Sequence, residues 1–155
     1  MEQQFVTYAG FWKRFIAIII DGLILGIVEL AVFIPFLGML GLGIMTHDKY
    51  ENVGFIFALI SAYLFAVLAA LIAGCLYFAL MESSAKQATL GKLAIGIKVT
   101  DMAGNRISFG RATGRYFGKY ISAMILYIGF IMAGFTQQKQ ALHDIMAGCL
   151  VVNKQ

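Results

Sequence analysis

The sequence predicts an all-α membrane protein, a compact bundle of about three transmembrane helices with a small interfacial helix and hairpin on the cytoplasmic side. Hydrophobic residues make up 61% of the 155-residue chain and charged residues 13%, against roughly a quarter charged in soluble domains. Three segments, Phe15 to Leu37, Val53 to Met81 and Tyr116 to Phe135, each supply the roughly 20 apolar residues that a helix needs to cross hydrocarbon about 30 Å thick. The length suits one membrane domain, residues 1–155.

The first segment is too long for a signal-peptide core, contains Asp21 and Glu29, and has no small-residue cleavage site after it. It is expected to remain in the mature protein. Pro35 should end or kink its helix, because proline lacks a donor and clashes with the preceding turn. The second segment exceeds the hydrocarbon thickness and should tilt or protrude. The third leaves two readings. Its hydrophobic length favours a full span, whereas Gly129, Gly134 and the polar run Thr136 to Gln140 suit a broken, re-entrant element, tolerated at depth where protein buries it.

Charge sets the expected topology. Lys86, Lys92, Lys98, Arg106, Arg111, Arg115 and Lys119 cluster in and just after the connection 82–115, while the loop Thr46 to Asn52 is nearly neutral. The positive-inside rule then puts the amino terminus and the connection in the cytoplasm, with the plasma membrane as the expected location. Such clustering suits anionic headgroups, at about 1 kcal/mol per nearby cation, rather than nucleic acid. Within the connection, a short helix should break at Gly96, and alternation of Ile95, Ile97 and Val99 leads to a turn at 101–106 before Ile107-Ser108-Phe109, a hairpin pattern.

No catalytic constellation is present, so the chain is not expected to be an enzyme. Thr89-Leu90-Gly91-Lys92 lacks the earlier glycine and the following Ser or Thr of a phosphate-binding loop. Two histidines far apart make no zinc site, and Cys75 and Cys149 read as packing residues, so neither metal nor cofactor is expected. Small residues recur every four positions at Gly22 and Gly26, at Ala62, Ala66, Ala70 and Gly74, and at Gly114, Gly118 and Ser122. Such ladders let membrane helices approach closely, either within the chain or in a homo-oligomer or with a membrane partner.

Ionisable residues in an apolar segment are site candidates, since they face a protein interior or a wet cavity. Arg14 and Asp21 lie two turns apart on one stripe, about 10 Å along the axis. Side chains lean toward the helix amino terminus, so Asp21 leans toward Arg14 while Arg14 leans away. That mismatch calls for a further acid beside Arg14. Asp144 is the preferred one and would neutralise the arginine where it enters the membrane, provided that the carboxyl terminus lies on the same side. Glu29, toward the far end of the first segment, and His143, beside Asp144, are accessory candidates.

The Arg14 to Asp21 arrangement, the stretch Ala88-Thr89-Leu90-Gly91-Lys92-Leu93-Ala94-Ile95-Gly96-Ile97-Lys98-Val99-Thr100-Asp101 with Gly104, and Ala141-Leu142-His143-Asp144 with Ala147-Gly148 together resemble the RDD family of membrane proteins. The family is named for one arginine and two aspartates. The resemblance assigns Arg14 and Asp21 to the first two, and Asp144, or else Asp101, to the third. It implies an association with sodium/proton antiport. Two functions follow: a monovalent cation/proton transporter of Na+ or H+ working through Arg14, Asp21 and Asp144, or a non-enzymatic scaffold or accessory subunit whose charge cluster specifies assembly.

Overall fold

A computed structural model describes residues 7–46 and 53–154. Most of the neutral loop expected between the first two segments, residues 47–52, lies outside them. The chain forms α1 (Phe11–Thr46), α2 (Val53–Ser83), α3 (Leu90–Ile95), β1 (Ile97–Asp101), α4 (Phe109–Met124), α5 (Ile128–Ile131) with a following 3-10 turn (Met132–Gly134), α6 (Leu142–Ala147) and β2 (Cys149–Asn153). It divides into two compact units. One, called the cap below, comprises residues 7–22 and 75–154; the other is Leu23–Gly74.

The second unit is two long helical stretches with outward apolar side chains, among them Leu23, Ile27, Ile34, Leu64, Phe65 and Leu68. Exposed apolar surface on this scale suits a hydrocarbon solvent, not water. Among the described residues one helical segment, Leu59–Ser83, is long and apolar enough to cross a membrane, and α4 with the α5 region makes a second if that bent pair counts as one span. In α2 the ladder Ala62, Ala66, Ala70 and Gly74 is less exposed than its flanks, whereas a side chain at Gly22 or Gly26 would meet nothing within 4 Å. Helix α1 passes through position 35 to Thr46, so Pro35 does not end it.

The third apolar segment is broken. Leu126 and Tyr127 take left-handed backbone, with φ of 47° and 60°, which non-glycine residues adopt at a cost. The chain turns through 116° between α4 and the α5 region. Gly129 makes the return fit: a Cβ there would lie 2.7 Å from that of Ser122. Hydrophobic length favours one continuous span, but length does not register a backbone reversal.

The cap is built on a sheet. β1 pairs antiparallel with β2, Val99 facing Val151, and not with Ile107-Ser108-Phe109 as the hairpin pattern suggested. The turn at 101–106 exists, held by the Asp101 side chain accepting from the amides of Ala103 and Asn105, but it leads to Ser108, which caps α4 through the Arg111 amide. Tyr8 bridges Val152 on the free edge of β2, with the Ala9 amide donating to the Val151 carbonyl at 2.8 Å. Gln87 covers the outer edge of β1 by exchanging two hydrogen bonds with Val99. The segment at Tyr8, the carboxyl-terminal strand and the basic connection therefore meet in one sheet. Its core joins Ile97, Val99, Cys149 and Val151 to Ala9, Ala17, Ala79 and Ala112.

Candidate functional site

Helix α3 explains the first half of the site. Thr89 caps it, accepting from the Lys92 amide, and Gly96 ends it in left-handed backbone with φ of 72°, the break that the sequence suggested. The Leu90 amide donates to the Tyr77 hydroxyl at 3.1 Å. The Gly91 amide donates at 2.8 Å to Asp21, reaching across from α1. Asp21 also accepts from the Tyr77 hydroxyl at 2.8 Å and from the Thr89 hydroxyl at 2.6 Å. The amino terminus of α3 thus does hold an anionic group, as helix starts do, but the group is a carboxyl of the same chain. Only glycine fits at position 91. A Cβ would lie 2.9 Å from the Asp21 carboxyl carbon and would collide with the Ala17 carbonyl oxygen.

Arg14 and Asp144 form an ion pair, so the carboxyl-terminal segment does return to the arginine's side. Arg14 also donates through Nε to the Ala9 carbonyl at 2.9 Å. Asp144 sits in the first turn of α6 and accepts from the Ala141 amide, tying its carboxylate to the helix start. Arg115 grips the other Asp144 oxygen through Nε and Nη2, both at 2.7 Å, and reaches Glu82 through Nη1 at 2.6 Å. Glu82 in turn pairs with Lys92. The result is an alternating chain, Arg14, Asp144, Arg115, Glu82, Lys92, with one member each from α1, α6, α4, α2 and α3. Each side chain in it is at most 9% exposed.

Four expectations change. Asp21 belongs to no triad with Arg14 and Asp144, because neutral donors on α2 and α3 hold it separately. Glu82, Lys92 and Arg115, read as part of a connection facing headgroups, are buried ion-pair partners. Asp101 lies in its turn, away from the cluster. Glu29 is exposed and belongs to the other unit. One sequence signal for Arg115 existed. Ala112, Arg115, Gly118 and Ser122 share the buried face of α4, so the arginine stands in a stripe of small residues where a solvated cation would not.

His143 packs on Phe130 with ring centroids 5.1 Å apart, and its Nδ1 faces the Ser122 hydroxyl at 3.3 Å. Burial pushes the imidazole down to about 3, with Arg115 adding to the effect against the pull of Asp144. It is neutral near physiological pH. Burial alone would raise the Asp144 carboxyl, but Arg115 and then Arg14 hold it well below the usual carboxylate range.

Both shifts are depressions, which sets the acid response. The unfolded histidine takes up its proton near pH 6.5 and the folded one only near 3, so its contribution is complete above about 6.5 and is lost as pH falls. The Asp144 contribution is present above about pH 4 and disappears below it. Thermal melts should lose stability as pH falls below about 6.5, and His143→Gln should move that onset down to about pH 4. An unchanged onset in the variant would contradict the assignment.

Known proteins resemble this chain over nearly its whole length. Residues 8–148 match the model of the RDD family. The chain is 36% identical over 148 residues to the uncharacterized protein YxaI of Bacillus subtilis (strain 168), covering 94% of this chain and 97% of that protein. It is 30% identical over 166 residues to the uncharacterized membrane protein YteJ of the same organism, covering 99% of this chain and 87% of that protein. No solved structure matches.

Proposed function

The chain belongs to the RDD family of membrane proteins, and we propose that it serves there as a non-enzymatic scaffold or accessory subunit whose charge network organises its assembly. The observation that carries this reading is the closed ion-pair chain: each of its five charges has an opposite partner, and none is left free to move an ion. Pairing and added hydrogen bonds are what make buried charges tolerable, and breaking one pair is far costlier than removing a surface charge. In this reading the segment at Tyr8, the carboxyl-terminal strand and the basic connection lie on one side, the cytoplasmic one by the positive-inside rule, and the sheet shared by Tyr8, β1 and β2 supports it. In this reading α1 and α2 cross the bilayer, and the bent α4–α5 pair re-enters without crossing. The open Gly22 and Gly26 positions on α1 suit a second copy or another membrane subunit.

The exchange of Na+ for H+ is the second reading. It is favoured by the position of Asp21 on the wall of a cavity of about 350 Å³ that Lys92, Lys119 and His143 also line. The three donors on Asp21 argue for architecture. Purified protein in liposomes should therefore pass neither Na+ nor H+ down an imposed gradient, and Asp21→Asn should lower the melting temperature. Flux that disappears in a stably folded Asp21→Asn protein would overturn the scaffold reading.

A further inference from the structure

The same cavity carries an inference beyond scaffolding. Its charge is unbalanced. The ion-pair chain sets three cations against two carboxylates, and Lys119, on the same wall, has no carboxylate within salt-bridge distance among the described residues. Its ammonium instead lies 3.5 Å from the centroid of the Phe78 ring. Among the described residues Asp21 is the only acid on the wall, and its oxygens already accept from three donors.

Arg14 supplies the second observation. This side chain is 9% exposed and lines the cavity, with Nε and Nη1 engaged. Its buried Nη2 has no hydrogen-bond partner among the described residues. An unsatisfied buried donor is costly, more so when it is charged, so an acceptor arriving there is favoured. Apart from Lys92, Arg115 and His143, the rest of the wall is apolar. Phe78 and Phe130 line it, and Phe15, Ile18, Tyr127 and Ile131, also on the wall, are between 42% and 65% exposed, so that apolar side chains form its outer part.

From this pairing of cationic donors with an apolar wall, we propose that the cavity binds an anionic phospholipid of the surrounding bilayer. The headgroup phosphate accepts from Arg14 Nη2 and the Lys119 ammonium, and an acyl chain leaves past Phe15 and Ile18. The volume, about 350 Å³, is at the small end for ligand pockets and suits a headgroup and the start of a tail, not a whole lipid. A free anion would satisfy the donors but leave the aromatic wall uncovered. A zwitterionic lipid would bring a choline group against an excess of positive charge.

Native mass spectrometry of the full chain released from detergent tests this, with phosphatidylglycerol, phosphatidylcholine and inorganic phosphate as probes. One phosphatidylglycerol should bind at least about ten times more tightly than phosphatidylcholine, millimolar phosphate should not displace it, and Lys119→Gln should remove most of the preference. Ile18→Trp, which fills the cavity and leaves every charge in place, should weaken phosphatidylglycerol binding and serves if Lys119→Gln does not fold. Equal binding of the two lipids, competition by inorganic phosphate, or unchanged binding in both variants would overturn the proposal.

Discussion

Arg115→Ala should be the most damaging single substitution in the cap, lowering stability by at least about 3–5 kcal/mol, the range for breaking a buried ion pair. It removes the one cation that both Glu82 and Asp144 share and leaves each carboxylate with a single ionic partner in a buried site. Native stability is typically only about 5–15 kcal/mol, so such a loss should appear as a large fall in melting temperature in detergent or as no recoverable folded protein. Arg115→Lys should also fail to restore the wild type, because one ammonium cannot reproduce three nitrogens directed at two carboxylates. Lys98→Ala, in the same basic connection but outside the ion-pair chain, should stay within about 0.5 kcal/mol. Equal effects of the two alanine variants would contradict the network.

Gly91→Ala should come next. The new methyl group would collide with the Ala17 carbonyl of α1, a backbone atom that cannot rotate away, and would crowd the Asp21 carboxyl. Overpacking of this kind costs about 1–3 kcal/mol, and displacing α3 breaks the Gly91 and Thr89 hydrogen bonds to Asp21 at about 1–3 kcal/mol for each polar group left buried. A total of at least about 3 kcal/mol is expected in thermal melts. Gly110→Ala and Gly114→Ala, in α4 with nothing within 4 Å, should instead be neutral or stabilise by up to about 1 kcal/mol. A harmless Gly91→Ala would remove the carboxyl-holding role from α3.

These contrasts mark what was legible in the sequence. Membrane class followed from composition, and the Arg14 to Asp144 pair followed from an arginine that needed an acid and had none suitably placed on its own helix. Asp21 reads as a buried acid from its sequence, but its partners do not. Counting charges finds ionic partners and is blind to an amide, a threonine and a tyrosine, which hold it here. Glu82, Lys92 and Arg115 were hidden because charged residues outside long apolar runs resemble solvated loop. Only the fold of α3 and α4 back onto the end of α2 shows that they are interior. Strand β1 was visible in its alternation, but its partner lies about fifty residues on, and Cys149 to Asn153 carries no turn signal to link the two.

The central claim is that the alternating chain acts as one interaction holding five helices together. A double-mutant cycle on Arg115 and Asp144, using Arg115→Gln and Asp144→Asn and read as unfolding free energy in detergent, measures it most directly. Coupling of about 2 kcal/mol or more is predicted, as found for close, desolvated charge pairs. Additive effects, within about 0.5 kcal/mol, would mean that the two side chains are neighbours without being partners, and would contradict the account.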